Sequence, residues 1–262
     1  MKNVRRHMSN FVVLIPARLS SSRLPNKALA DIHGKPMVVR VAERALASKA
    51  GRVVVATDHA DIQTACQVHG IEAVLTAPEH ESGTTRLAEA AGILNLAGED
   101  CVVNVQGDEP LIEPELINAV AEQLQQSSAP MATAAHLLTD YTDFTDANCV
   151  KVVLNNKNNA LYFSRAAIPW PRELMRSGAE VMPADIPVYR HIGIYGYRVQ
   201  FLHQYADLTP SPLEQAESLE QLRVLWHGYN IAVQITPHAP AAGVDTAADL
   251  ERVRTNWTEV KK

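Results

Sequence analysis

The feature that most limits what this chain can become is FVVLI at 11–15, an apolar run with none of the alternation of a half-exposed strand. Such a run reads as a strand buried on both faces, the kind found inside parallel sheets. Two more follow, RVVVAT at 52–57 and CVVNV at 101–105. Helical spacing fills the gaps. Met37, Val38, Val41, Ala45 and Leu46 recur behind Pro36, and a second helix runs from Asp58, read as its cap, to His69, where Gly70 ends it. EAVL at 72–75 is a short strand. Ser82 or Thr84 caps a helix with Leu87, Ala90, Ala91 and Leu94 as its stripe, and 113–126 is helical again. This βαβα succession with short links predicts an α/β protein with a doubly wound, mostly parallel sheet.

From Met131 the rhythm changes. Strands are expected at 131–137, 150–154, 160–165 and 191–197, with a proline-marked passage at 168–187. A turn is expected at 31–35, and Gly193 and Gly196 leave room for close packing or ligand approach. A helix from Arg198 to Tyr205, a long helix over 213–227 with Leu219, Leu222 and Trp226 inward, a strand at 231–235 and a helix at 247–260 complete the pattern. The expected organisation is one domain over 11–260 with a mixed sheet and a smaller β-rich excursion at about 131–200. Residues 1–10 are polar and basic, without the apolar segment of a signal peptide, and read as a disordered lead-in in which Met8 is an alternative start.

A chain of 262 residues with 47% apolar and 20% charged residues can bury a sizeable core. Its net charge of −5 gives no reason to expect nucleic acid or an anionic membrane as partner, so any phosphate must be met by local cations. No apolar run approaches the roughly 20 residues of a bilayer span. Cys66, Cys101 and Cys149 are scattered and odd in number, which fits buried free thiols in a reducing compartment, hence the cytoplasm.

The loop leaving the first strand carries Arg18, Arg23 and Lys27 with Ser20, Ser21 and Ser22 between them. Ligands of open α/β sheets sit outside the carboxyl ends of the strands, so this loop suits a nucleotide triphosphate. Asp108 in QGDEP and Asp245 in GVDT fall at two further ligand-facing positions. Carboxylates there suit Mg²⁺, which takes one or two of them plus phosphate oxygens. Taken alone, Asp245 reads better as a helix cap than as a metal ligand. No G-x-G-x-x-G follows a strand, Leu29 stands where a Walker A loop needs its first glycine, and no G-x-S-x-G is present. Metal-assisted phosphoryl or nucleotidyl transfer remains. In the second half Arg165, Arg190 and His191 suit a carboxylate. Glu217 shares a helix face with Glu220 or Gln221, either to meet sugar hydroxyls or as a solvated acidic face.

Read together, IPAR (15–18), SRLPNK (22–27), VATD (55–58), SGTTRLAE (82–89), NVQGDEP (104–110), ALYFSR (160–165), RHIGIYGY (190–197), SPLEQAESLEQLR (211–223) and GVDT (243–246) give a resemblance covering 11–254. On these motifs the chain resembles the 3-deoxy-manno-octulosonate (Kdo) cytidylyltransferase family of the sugar nucleotidyltransferases. The resemblance implies a nucleotide-diphospho-sugar transferase-like fold and Mg²⁺-dependent transfer of CMP from CTP to the anomeric hydroxyl of Kdo, for lipopolysaccharide biosynthesis. It implies that Arg18, Arg23 and Lys27 hold the triphosphate. Ser82, Thr84, Arg86 and Gln106, with Asp108 beside them, would complete the CTP site, and Asp108 and Asp245 would bind the metal. Lys27, Asp108, Asp245 and Arg23 would form the catalytic set, and Arg165, His191, Tyr195, Glu217, Glu220 and Gln221 would meet Kdo. A homodimer joined through the excursion is implied as well. The alternatives are a related acceptor such as 8-amino-Kdo, or a catalytically silent nucleotide-binding relative. Asn26 stands where the family has glycine, a substitution that asparagine's tolerance of the left-handed conformation accommodates. Ala28 replaces a usual proline, and Thr85 a residue that is often acidic.

Overall fold

The structure is a computed structural model that describes residues 11–21, 23–80 and 82–257; the 1–10 lead-in, Ser22 and the expected end of the last helix lie outside the described residues. β1 (Phe11–Ala17) leads through a single 3-10 turn, Lys27–Leu29, to a minimal hairpin of β2 (Asp31–Ile32) and β3 (Lys35–Pro36). His33 and Gly34 at its tip have φ of 50° and 82°, as a two-residue type I′ turn requires. Next come α1 (Met37–Leu46), β4 (Arg52–Thr57), α2 (Ala60–Val68), β5 (Glu72–Leu75), α3 (Gly83–Ile93), β6 (Cys101–Asn104) and α4 (Pro114–Gln126). The predicted alternation is present. Two caps differ: Pro36 precedes the first turn of α1, and His59 caps α2, its ring accepting from the Asp61 N–H at 3.2 Å. Asp58 is thereby free for another role.

The second half contains β7 (Met131–Leu137), α5 (Tyr141–Thr145), β8 (Lys151–Leu154), β9 (Ala160–Ser164), α6 (Arg172–Arg176), β10 (Tyr189–Arg198), α7 (Val199–Asp207), α8 (Pro212–Glu217), α9 (Gln221–Trp226), β11 (Ile231–Thr236) and α10 (Ala247–Thr255). The main sheet runs β11-β7-β10-β6-β1-β4-β5. Its neighbours are parallel except at β10, which is antiparallel to both β6 and β7. The segment expected to form an excursion therefore supplies two central strands, β7 and β10. What projects is the β8–β9 pair, attached where Tyr189 and Arg190 pair with Val152 and Lys151.

Each face of the sheet has its own apolar layer. Val13, Val103 and Ile194 pack under α1 and α4, while Leu14, Val102 and Tyr197 pack under α3 and α7. The two glycines of β10 divide the roles that the sequence leaves open. A Cβ on Gly196 would lie 3.3 Å from Val120 of α4, so it serves close packing, whereas Gly193 has open space beside it. The helix expected over 213–227 is broken at Ser218, whose φ is 53°, and Trp226 is exposed, not inward. Cys66, Cys101 and Cys149 are buried and unpaired.

Asn26 is left-handed, with φ 55° and ψ 32°, directly before Lys27. Asn26→Gly is expected to leave stability nearly unchanged. Asn26→Val should cost about 1–2 kcal/mol, because a β-branched side chain is strained there. Urea midpoints test this, and a valine variant as stable as the parent would contradict it.

Candidate active site

Strands β1 and β6 are hydrogen-bonded neighbours, so the loops leaving their carboxyl ends lie side by side. The approach is closest at Gly107, where a Cβ would sit 2.8 Å from the Pro16 carbonyl oxygen; no other residue fits without backbone movement. One residue on, the Asp108 carbonyl accepts from the Val244 N–H at 2.8 Å, and Gly243 packs against that carbonyl. The two acidic loops, distant in sequence, are thus fastened through backbone. Lys27 Nζ closes the arrangement, donating to Asp108 Oδ2 at 2.6 Å, Asp245 Oδ1 at 3.2 Å and the Val244 carbonyl at 3.1 Å. Arg23 Nη2 reaches Asp245 Oδ1 at 2.8 Å. The Arg23 side chain is 65% exposed, so its pair contributes at most about 1 kcal/mol. Lys27, at 18%, is the enclosed hub. Thr246 and Asp249 form the capping box of α10, which removes helix capping as the explanation for Asp245.

A cleft of ≈ 310 Å³ opens here, lined by Arg18, Arg23, Lys27, Ser82, Arg86, Gln106, Asp108 and Asp245 among others. Of the two expected caps of α3, Ser82 is the one used, its Oγ accepting from the Thr85 N–H at 3.2 Å. Arg86 reaches the cleft as a strut. Its guanidinium donates to Thr76 Oγ1 at 2.6 Å, the Ala77 carbonyl at 3.2 Å and Asp58 Oδ2 at 3.1 Å. Asp58 Oδ1 in turn accepts from the Leu19 N–H at 3.3 Å, which ties the cationic loop to this buried pair. Removing one partner of such a pair typically costs about 3–5 kcal/mol. His80 also lines the cleft, and the sequence assigned it no role; it is hydrogen-bonded to Glu89 and Thr85. Burial alone would raise the Glu89 carboxyl, but bonds from His80 and the Ala77 N–H bring it below its ordinary value.

A second cleft of ≈ 420 Å³ adjoins the first, and Gly83, Gln106 and Glu220 line both. It lies between β10 and the α8–α9 break and contains Thr84, His191, Tyr195 and Gln221. Thr84 Oγ1 donates to Glu220 Oε2 at 3.2 Å, and Thr84 lines the second cleft and not the first. Arg165 and Glu217 line neither cleft. Glu217 accepts from Ser164 Oγ at 2.6 Å and the Arg165 N–H at 2.9 Å, while Arg165 donates to the Glu217 and Ala147 carbonyls. The left-handed Ser218 separates Glu217 from Glu220 and Gln221, so the shared helix face does not form. Arg190 is the arginine on this cleft. Glu109 lines it too, its carboxyl pushed up to about 8 by burial and then by the charge of Asp108.

Thr133 fixes the state of His191. Its Oγ1 lies 2.8 Å from the Ile194 carbonyl, 3.1 Å from the Ile192 carbonyl and 2.9 Å from His191 Nε2. The single hydroxyl proton must serve the carbonyls, which cannot donate, so His191 Nε2 carries a proton and donates to Thr133. Burial pushes the imidazole down to about 3, so Nδ1 remains a bare acceptor.

Among the described residues no group of three or more His, Cys, Asp or Glu could hold a metal. Asp108 and Asp245 do converge on one cation, the Lys27 ammonium, and two carboxylates completed by phosphate oxygens are the donor set that Mg²⁺ accepts. The buried thiols are poor nucleophiles, with Cys66 raised to about 11 and Cys101 to about 12, chiefly by burial.

Known proteins are similar throughout. The family model described as "Cytidylyltransferase" matches residues 12–232. A protein of Neisseria meningitidis serogroup A named 3-deoxy-manno-octulosonate cytidylyltransferase is 67% identical over 253 residues, 97% of this chain and 100% of the relative. One of the same name from Herminiimonas arsenicoxydans is 57% identical over 250 residues, 95% of this chain and 100% of the relative. A solved structure titled as CMP:2-keto-3-deoxy-manno-octonic acid synthetase complexed with CTP has a TM-score of 0.85 at 41% identity, covering 94% of this chain and 97% of that one. A 4-diphosphocytidyl-2C-methyl-D-erythritol synthase shares the fold, with a TM-score of 0.59 at 14% identity, covering 94% of this chain and 97% of that one.

His191 is expected to be neutral and protonated at Nε2 from pH 5 to 8, as read by ¹⁵N NMR of the imidazole nitrogens. An imidazolium at pH 6, or the Nδ1–H form, would contradict this. Because the folded value lies below the unfolded one, near 6.5, this histidine's contribution to stability is present above about pH 6.5 and declines as pH falls toward 3.

Proposed function

This chain belongs to the cytidylyltransferase family, in its 3-deoxy-manno-octulosonate branch, and from that membership together with the site we infer its reaction. It transfers CMP from CTP to the anomeric hydroxyl of Kdo. The hydroxyl oxygen forms a bond to the α-phosphorus, the α–β phosphoanhydride breaks, pyrophosphate leaves with the bonding pair, and the hydroxyl proton passes to solvent. The single observation that carries this reading is the convergence of Asp108 and Asp245 on one cation beside the cationic loop, at the mouth of two joined clefts.

Both reactants are anionic and repel each other, so positioning and electrostatics supply most of the catalysis. Arg18, Arg23 and Lys27 draw charge from the phosphates, and Ser82 and Gln106 line the nucleoside side. Asp108 and Asp245 would hold Mg²⁺, which when bound neutralises phosphate charge and orients the α-phosphate. His191, Tyr195, Glu220 and Gln221 face the sugar acid, and Arg190, more directly than Arg165, is placed to meet its carboxylate. Arg165 and Glu217 act from behind, bracing the turn that presents Glu220 and Gln221.

The same reading makes the protein a cytoplasmic homodimer that serves lipopolysaccharide synthesis. CTP as substrate favours the cytoplasm. The exposed Leu137, Leu161, Trp170, Val181 and Ile186 on and around the projecting segment favour self-association there. Among the described residues no helix is long and apolar enough to cross a membrane.

Pyrophosphate release from CTP and Mg²⁺ should require Kdo and should be slower with 8-amino-Kdo or a nonulosonic acid; turnover of another acid but not Kdo would overturn the assignment. Asp108→Asn should lower kcat by about 100-fold or more with an unchanged circular dichroism spectrum. Near-normal turnover in that variant would contradict the role of Asp108.

A further inference from the structure

We propose that Asn104 is a substrate-contacting residue of the second cleft, one that hydrogen-bonds a hydroxyl of the acceptor and selects for acceptors carrying it. The proposal rests on the reaction inferred above and adds a specificity contact to it. Asn104 ends β6, paired with Leu14 on one side and Tyr195 on the other. Alternation along the strand turns it to the same face as Val102, the face that carries the second cleft. Its residue is 2% exposed, yet among the described residues its amide has no hydrogen-bond partner, and Oδ1 is fully buried. In a strand that otherwise reads CVV, packing alone would be served better by another apolar side chain.

A second buried amide lies beside the first. Gln221 Oε1 accepts from the Tyr195 hydroxyl at 3.2 Å, while its Nε2 is buried without a partner. Both residues line the same cleft. Each unmet buried polar group carries a desolvation cost that a ligand able to pair with it recovers. The complement is a ligand presenting several hydroxyls, since a hydroxyl both donates to an amide oxygen and accepts from an amide nitrogen. For the same reason the proposal holds whichever way the Asn104 amide is turned. A flat or apolar ligand would leave both amides unpaired and would be rejected.

The test is steady-state kinetics of the full-length enzyme with saturating CTP and Mg²⁺, against Kdo and its 4-, 5-, 7- and 8-deoxy analogues. The parent enzyme should turn over Kdo and discriminate against one of these analogues by about 10- to 100-fold in kcat/KM. Absence of turnover of Kdo by the parent would defeat the inferred reaction itself, an outcome separate from any result with the variants. Asn104→Ala should raise KM for Kdo about 10-fold or more, leave KM for CTP within about twofold, and abolish discrimination against that same analogue. Asn104→Val should show the same kinetic defect and a melting temperature equal to or above the parent's, because it removes an unpaired buried amide. Unchanged KM for Kdo with discrimination retained would overturn the proposal. So would equal losses in both KM values accompanied by a lowered melting temperature in both variants, the signature of a structural role.

Discussion

Lys27 Nζ sits between Asp108 and Asp245, and the functional part of the structure is assembled around that contact. It joins the loop after β1 to the loops that follow β6 and β11. The carboxylates are not drawn together by the ammonium alone. Gly107 against Pro16, and the Val244 N–H on the Asp108 carbonyl, set their approach through backbone. Two carboxylates that share one cation repel each other when it is absent, the more so the less water screens them. A backbone that enforces such proximity creates a demand for a cation. Lysine meets that demand here, and a divalent ion carrying phosphates has the charge and the ligand preference to meet it as well.

β10 does the corresponding work for the second cleft. Inserted antiparallel between β6 and β7, it turns His191, Gly193 and Tyr195 toward the second cleft and Ile192, Ile194 and Gly196 toward the opposite core. Thr133 satisfies carbonyls at the irregularity of the β7–β10 ladder and fixes the His191 tautomer in the same act. The left-handed Ser218 stops α8 so that Leu219 enters the core while Glu220 and Gln221 turn to the clefts. The clefts join at Gly83, Gln106 and Glu220, where an attacking hydroxyl and a nucleotide phosphate can meet.

Much of this was legible in the sequence because the signals were local. Unbroken apolar runs marked β1, β4 and β6, three cations behind β1 marked a wall of the first cleft, and Asn26 matched the left-handed backbone found there. What was not legible depended on distant partners. Nothing near Arg86 shows that Asp58 and Thr76 will absorb its guanidinium, and nothing near Arg165 shows that Glu217 will turn inward to its main chain. The break at Ser218 was hidden because the capping box at Ser211 and the helical spacing run on without a glycine or proline. That β7 and β10 belong to the central sheet follows from pairing across more than fifty residues, which no local pattern reveals.

The most direct measurement is a crystal structure of the protein with CTP and Mn²⁺ in place of Mg²⁺, using anomalous scattering to locate the metal. Expected is a manganese peak bound to carboxylate oxygens of Asp108 and Asp245 and to nucleotide phosphate oxygens, with Lys27 moved onto the phosphates. Manganese held by the phosphates alone, with Lys27 still bridging the two aspartates, would contradict the shared-cation account.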